Sequence, residues 1–472
     1  LTVADKLRIA EQLDRLGVHY IEGGWPGANP KDEEFFARAR SELTLERSQL
    51  VAFGSTRRVN GDAAEDQTLA NLLAAETDVV CIVGKASAYH VTEALRTSLD
   101  EGVAMVADSV TYLKSRGRKV FFDAEHFFDG YRDDPEFSLR VLRGAAEAGA
   151  DCLVLCDTNG GSLPDQVEAM VRAVVDAVDC AVGVHLHNDT GCGVANALAG
   201  VAGGATQVQG TINGYGERVG NCDLVPIIAN LSLKMGVETL PEGRMAELTS
   251  VAHHVAELVN FTVDPQQPYV GTTAFAHKAG LHTSAIARRS DAYEHIDPGL
   301  VGNGTRFLVS EMSGRSTIAL KAEQLGIELD GEVLGEIVET LKELEYAGYH
   351  FEAADASLEL LMRAASGWSH DYFVLESFSV NVGHRSGSGS RAWNDVAVEV
   401  ETEATVKLHL DGERVVATGE GNGPVNALDA ALRKALDDSF PQLERLHLTD
   451  FKVRVLETRQ GTGAVTRVLI DT

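Results

Sequence analysis

From its amino end to about residue 235 the chain alternates short apolar runs with longer stretches in which apolar positions recur at helical spacing. Seven runs stand out: His19–Trp25, Gln49–Ser55, Val79–Lys85, Lys119–Glu125, Cys152–Asp157, Ala181–Asn188 and Thr206–Asn213. Near-continuous apolar runs of this length predict strands covered on both faces, because such strands need no polar alternation. Ala4–Leu16, Val91–Lys114, Pro135–Ala148 and Leu163–Val178 predict helices between them, and strands recurring every 25–35 residues, roughly, are what parallel βα units give. The fold expected is α/β, a (β/α)8 TIM barrel. Eight strands are needed to close such a barrel, yet this chain opens on a helix, so the strand that should precede Ala4–Leu16 is expected to be missing from the sequence. A doubly wound open sheet is the competing arrangement; against it, no Gly-rich dinucleotide turn follows the early strands.

After Asn260 the pattern changes. Phe261–Gly271 carries Pro265 and Pro268 and predicts a linker, since neither suits a helix interior. A helical module follows to about Gly367, including Gly331–Tyr346, whose Val333, Leu334, Ile337, Leu341 and Leu344 lie at helical spacing. From Tyr372 the period is two: strands are expected at Tyr372–Val382, Ala404–Leu410, Arg414–Glu420, His447–Leu456 and Ala464–Ile470, a helix at Val425–Asp438 and a flexible Ser/Gly loop at His384–Arg391. The expected domains are 1–260, a barrel; 261–370, a linker and lid module; and 371–472, an α+β domain of two ββα repeats whose last helix is expected to be lost.

Forty-one Lys and Arg stand against seventy Asp and Glu, a formal charge of −29, so the averaged field repels nucleic acid and anionic lipid and favours a small-molecule function. With 44% hydrophobic and 24% charged residues the composition excludes disorder and fibre. The six cysteines lack zinc-finger spacing and disulfide density, which points to a reduced cytoplasm. No stretch reaches the roughly 18–20 apolar residues of a membrane span, and the amino end is an amphipathic segment, not a signal peptide.

Candidate chemistry collects at the predicted strand ends. In His185-Leu186-His187-Asn188-Asp189, strand alternation points His185 and His187 the same way, and at the carboxyl end of a barrel strand that way is the mouth. Two imidazoles there can hold a divalent ion; by itself the motif fits satisfied strand histidines as well. Gly214-Tyr215-Gly216-Glu217-Arg218-Val219-Gly220-Asn221 precedes a helix at Leu224–Met235, and Asn221 could cap that helix or offer an oxygen to a metal. Glu125 and the Asp157-Thr158-Asn159 trio end two further strands, where a carboxylate can accept a proton and a hydroxyl can bind a carboxylate ligand. His277–His282 and Tyr293-Glu294-His295 suit a lid delivering acid or base groups, or equally polar helix ends. Cys156 and Cys222 have no general base near them in sequence, so a thiol nucleophile is not expected.

Several long blocks carry a resemblance: Glu22–Gly27, Ala52–Arg58, Phe122–Tyr131, Leu155–Gly161, Gln209–Asn221, Gln267–His282 and Gly421–Leu428. Their order and spacing resemble the acetyl-CoA-dependent Claisen-condensing synthases (2-isopropylmalate, homocitrate and citramalate synthases), and the long citramalate branch most, over essentially the whole chain. The resemblance implies an acyltransferase that condenses acetyl-CoA with pyruvate and water to give (R)-citramalate and CoA in isoleucine biosynthesis, with the other two synthases as alternatives. A related carbon–carbon lyase and a non-catalytic amino-acid-sensing protein are the further readings. It implies His185, His187 and Asn221 around a catalytic Zn²⁺, Mn²⁺ or Mg²⁺; Glu125, Thr158 and His90 on the 2-oxo acid; Glu217 on the acetyl-CoA side; and His282 and Tyr293 assisting enolisation. The family's opening Asp-Thr-Thr-Leu-Arg-Asp-Gly block is not in this sequence, in line with the expected missing strand. A carboxyl-terminal regulatory domain taking isoleucine and a homodimer are also implied.

Overall fold

The computed structural model describes residues 1–277, 285–286, 289–309, 313–351, 354–369, 372–385, 399–456, 461 and 463–472. The chain divides into two compact units, Leu1–Ala276 with Ser290–Arg306, and His277–Arg289 with Phe307–Thr472.

In the first unit seven strands form one sheet in sequence order, each parallel to the next: β1 Tyr20–Glu22, β2 Gln49–Ser55, β3 Val79–Lys85, β4 Lys119–Glu125, β5 Cys152–Asp157, β6 Val182–Leu186 and β7 Gln207–Gln209. β2 to β5 begin and end where the apolar runs do. Helices α1 Val3–Leu16, α2 Pro30–Glu42, α3 Gln67–Ala74, α4 Leu99–Ser115, α5 Phe127–Asp133, α6 Pro135–Glu147, α7 Pro164–Ala177 and α8 Gly193–Ala202 lie between strands, with α9 Leu224–Leu233 and α10 Leu248–Leu258 after them. One sheet face carries Val80, Ile82, Val120, Phe122, Leu153, Leu155 and Val184 into a large core with the helices. The opposite face carries Val51, Val79, Cys81, Phe121, Cys152 and Val154 into a smaller one.

That inner face curves round a common interior. Lys119 Nζ on β4 donates to Tyr20 OH on β1 at 2.5 Å, and Gln209 Nε2 on β7 donates to Asp123 Oδ1 on β4 at 3.0 Å. Side chains of strands far apart in the order could not meet across a flat sheet, so this is the barrel architecture, not the open doubly wound sheet. Among the described residues β1 and β7 are not paired to each other.

Two expectations for this unit need correcting. The helix anticipated over Val91–Lys114 is a π-helical turn at His90–Ala94 followed by α4, separated by Arg96 at φ 55°. Ser98 Oγ accepts from Glu101 N at 3.2 Å, a cap that starts α4 afresh. The seventh run stops being strand at Gln209 and becomes a 3₁₀ turn at Ile212–Gly214.

In the second unit, helices Arg315–Gln324, Gly331–Tyr346 and Asp355–Ala365 share a core of Ile318, Ile337, Leu341, Leu358 and Met362. Strands Val374–Arg385, Glu399–Leu410 and Glu413–Gly421 form an antiparallel sheet covered by helix Pro424–Leu436 through Ala404, Val406, Ala417, Ala427 and Ala431. Asp450–Val455 and Thr466–Asp471 pair as a separate hairpin. The arrangement is therefore βββα followed by ββ, correcting the two ββα repeats. His384 and Arg385, expected in a loop, end the first of these strands; the rest of that loop lies outside the described residues.

Asp14 on α1 sets how the chain enters β2. Its carboxylate accepts from the backbone N–H of Glu46, Arg47 and Ser48 at 3.1, 2.9 and 2.7 Å. Burial pushes this carboxyl up, but the three N–H groups outweigh it and hold it below the ordinary Asp value. The stabilisation is thus complete above the unfolded Asp value and is lost as pH falls through the lower folded one. Asp14→Ala is expected to cost about 2–3 kcal/mol in urea unfolding at neutral pH, with the difference from the parent chain shrinking in acid.

Candidate functional site

The carboxyl ends of β3 to β6 deliver Lys85, Glu125, Asp157 and Leu186, and the residues just beyond them form the site. His185 is the last inward residue of β6, and His187 follows one step past the strand. Their ring centroids are 5.3 Å apart, so the two imidazoles do share a face. His187 pairs by a backbone bridge with Asn221, Asn188 N donates to Gly220 O at 3.0 Å, and Cys222 N donates to Leu186 O at 2.8 Å. These bonds clamp the 214–221 loop to the end of β6. The loop's tight path requires glycine at 220: φ there is 99°, and a Cβ would lie 1.9 Å from Gly214 O.

The cap of α9 is Asp223, whose Oδ1 accepts from Val225 N at 2.9 Å, and not Asn221. Asn221 is thereby left to face His185, its Nδ2 3.1 Å from His185 Nε2. As it stands this is a hydrogen bond from the amide N–H to the ring nitrogen, and Asn221 offers a cation its Oδ1 once the amide turns over. His187 is buried and its Nδ1 has no hydrogen-bond partner. Burial first, then the His185 ring and the Arg218 guanidinium, push His187 below the ordinary imidazole value and favour the neutral ring, the form whose lone pair can bind a cation. Two imidazoles and an amide therefore fit a divalent metal. Among the described residues no group of three or more His, Cys, Asp or Glu is arranged to hold one.

A second cluster lies on β3 to β5. Glu125 is ion-paired with Lys85, and its Oε1 is 3.7 Å from His126 Nε2. His126 stacks on His90, ring centroids 3.6 Å apart and planes 8° from parallel. Burial pushes both rings down from the ordinary value, helped by Lys85 at His90 and by the His90 ring at His126. His126 holds a left-handed backbone at φ 58°, and its N–H donates to Thr158 Oγ1 at 2.9 Å. Strain of this kind in a non-glycine residue marks places where the surrounding structure fixes the backbone. Gly130, one turn on, is needed for close approach, since a Cβ there would sit 2.7 Å from Ala86 O.

Arg218 joins the two clusters. Its guanidinium grips Asp189 at 2.7 and 2.9 Å and donates to Thr158 O at 2.8 Å. Of the residues singled out in the sequence, His185, His187 and Asn221 come together, and Glu125, His90 and Thr158 meet around His126. Glu217 is on the rim with its side chain 87% exposed, 3.9 Å from Arg218. Tyr293 is 46% exposed in the 290–306 segment, and His282 lies outside the described residues. The neighbours of Tyr293 in its motif, Glu294 and His295, are engaged locally: Glu294 Oε1 accepts from Thr305 Oγ1 at 2.5 Å, and the His295 ring stacks on Phe275 at 5.8 Å. Arg57 of the Ala52–Arg58 block turns into α4, ion-paired with Glu101 and Asp108 at 2.6 and 2.7 Å. Cys156 and Cys222 are buried, and burial pushes both thiols up, Cys222 to about 12, which leaves no thiolate for nucleophilic attack.

Sequence reasoning passed over Lys85, His126, Arg218, Asp123 and Gln209. Asp123 and Gln209 carried a signal: an acid within the apolar run Val120–Ala124, and glutamines at alternate positions 207 and 209. Both are inward positions, and the structure places both in the barrel interior. Lys85 also could have been found, as the only charged residue of its run.

Residues 1–255 match the family model described as HMGL-like, 269–348 the homocitrate synthase post-HMGL domain-like model, and 352–472 the LeuA allosteric (dimerisation) domain. The chain is 57% identical over 475 residues to the (R)-citramalate synthase of Streptomyces coelicolor, covering 100% of this chain and 87% of that one. It is 47% identical to the proteins of the same name from Aquifex aeolicus, over 473 residues and 88% of that chain, and Synechocystis, over 481 residues and 87%. With matches of this extent, the chain belongs to the (R)-citramalate synthase family of HMGL-like enzymes.

Proposed function

We infer that this chain is an acyltransferase that condenses acetyl-CoA with pyruvate and water, giving (R)-citramalate and free CoA. Full-length identity to the synthases supports the activity, and the observation that carries the chemistry is the set His185, His187 and Asn221 beside Glu125 and Thr158 at one barrel mouth. His185, His187 and Asn221 would hold a divalent ion, which when bound supplies Lewis-acid stabilisation of negative charge on a keto oxygen. Thr158 Oγ1 already accepts from His126 N, so its own O–H is free to be donated to the carboxylate of the 2-oxo acid. Lys85 pins Glu125 by their ion pair and directs that carboxylate at the same ligand. His90 and His126, stacked, would line the pocket on that side.

In the reaction a base takes a methyl proton from acetyl-CoA, the methyl carbon bonds to the keto carbon of pyruvate, and the keto oxygen becomes a hydroxyl on taking up a proton. Water then cleaves the thioester C–S bond and the CoA thiol leaves. His282, Tyr293 and Glu217 are the proposed enolising groups; the exposure of Glu217 puts it where a large thioester would enter. The LeuA-type match over 352–472 supports a homodimer with a small-molecule effector, for which isoleucine is proposed. No helix among the described residues is long and apolar enough to cross a membrane; a cytoplasmic location is proposed.

Thiol release by the full chain with Mn²⁺ and acetyl-CoA, run in parallel with pyruvate, 3-methyl-2-oxobutanoate and 2-oxoglutarate, is expected with pyruvate. Preference for another oxo acid would transfer the reading to a sister synthase, and no thiol with any of them would end it. Glu125→Gln is expected to lower kcat/KM for pyruvate about 10²–10³-fold while bound metal per chain is unchanged, as measured by elemental analysis.

A further inference from the structure

Behind His185 runs a chain of hydrogen bonds that reaches the middle of the barrel. His185 Nδ1 is 2.8 Å from Gln209 Oε1 on β7, Gln209 Nε2 donates to Asp123 Oδ1 on β4 at 3.0 Å, and Cys81 Sγ on β3 donates to the same oxygen at 3.1 Å. Asp123 is 4% exposed and Cys81 fully buried. The polarity of this chain is set from its inner end. The Cys81 thiol, pushed well up by burial, keeps its proton and serves as a donor. Asp123 Oδ1 therefore receives two donors and directs the amide nitrogen of Gln209 towards itself. The amide oxygen of Gln209 must then face His185, and an oxygen can only accept, so Nδ1 carries the ring proton and Nε2 keeps its lone pair. Nε2 is the atom that faces Asn221 at 3.1 Å.

We propose that Gln209 and Asp123 are positioning residues of the ion site: together they fix the orientation and tautomer of His185 so that Nε2 is presented to a divalent cation before the cation arrives. This inference rests on the reading of His185 as a metal ligand. It assigns work to two side chains that touch neither substrate nor ion. It also accounts for a carboxyl in the interior of a barrel, since buried Asp123 would cost stability unless it were paired. A hydrogen bond from the far nitrogen of a metal-binding histidine orients the ring and raises its basicity, and loss of such a partner typically weakens metal binding about 10–100-fold.

Gln209→Met keeps roughly the side-chain volume and removes the acceptor. Titrating the full-length chain with Mn²⁺ alone is expected to show affinity about 10–100-fold lower than the parent, with metal-free thermal unfolding still cooperative. Metal-free ¹⁵N-histidine spectra supply the second readout, with the His185 signals identified by their loss in His185→Gln. The parent ring should be protonated on Nδ1, and in Gln209→Met that tautomer should lose its dominance, with a measurable share of the proton on Nε2. If His185→Ala keeps full Mn²⁺ affinity, the ligand reading itself fails. If His185→Ala loses affinity while Gln209→Met does not, only the positioning role fails. Should Gln209→Met not fold, the parent spectrum decides alone: a His185 ring protonated on Nε2 overturns the proposal.

Discussion

The hydrogen bond between Gln209 on β7 and Asp123 on β4 is the interaction on which the site's order rests. It spans the interior between strands that are three apart in the sheet, so it can exist only if the seven strands curve round one another. Asp123 is buried while Gln209 is half-buried, so it is the carboxyl that would be left as a buried, underpaired polar group without its partner, at a cost of about 1–3 kcal/mol. Curvature, burial and pairing are thus mutually dependent, and the ring of His185 is held from behind by the same group.

The interior is graded along the strands. Towards their amino ends it holds Val51, Val79, Phe121, Cys152 and Val154, an apolar plug whose polar edge, Lys119 and Tyr20, is paired within itself. One layer on stand Cys81, Asp123, His185 and Gln209, and at the mouth Lys85, Glu125, His187 and the 214–221 loop. Parallel strands make this possible, since all their carboxyl ends finish on one side and the connecting loops there can converge. Arg218 and His126 finish the arrangement by tying loops of different strands through Thr158. The chain's net charge of −29 makes cations at this mouth the more informative. Lys85 and Arg218 each answer a named carboxylate, Glu125 and Asp189, which leaves His185, His187 and Asn221 as the proposed holders of a cation.

The architecture was legible in the sequence because a strand buried on both faces must be apolar throughout, and that is visible without coordinates; β2 to β5 coincide with their runs to the residue. The His185–His187 pair was legible for the same reason, since alternation follows from strand geometry alone. Helix Gly331–Tyr346 likewise matches its apolar spacing. Readings went wrong where a local signal cut across the pattern. Val91–Lys114 has helical spacing throughout, yet Ser98 with Glu101 three residues later is a cap that restarts the helix, and Arg96 takes a left-handed turn before it.

What the sequence determined, then, is what depends on neighbours along the chain: strand and helix periodicity, caps, and which residues end which strand. Tertiary structure decided who meets whom across the barrel. No spacing in the sequence joins Gln209 to Asp123 or Arg218 to Thr158, because these contacts are fixed by the curvature of the sheet and the paths of its loops, and Lys85 meets Glu125 through the register of β3 on β4. Which nitrogen of His185 is offered to a ligand is decided there as well, by a hydrogen bond that exists only once strands far apart in the chain have closed round one interior.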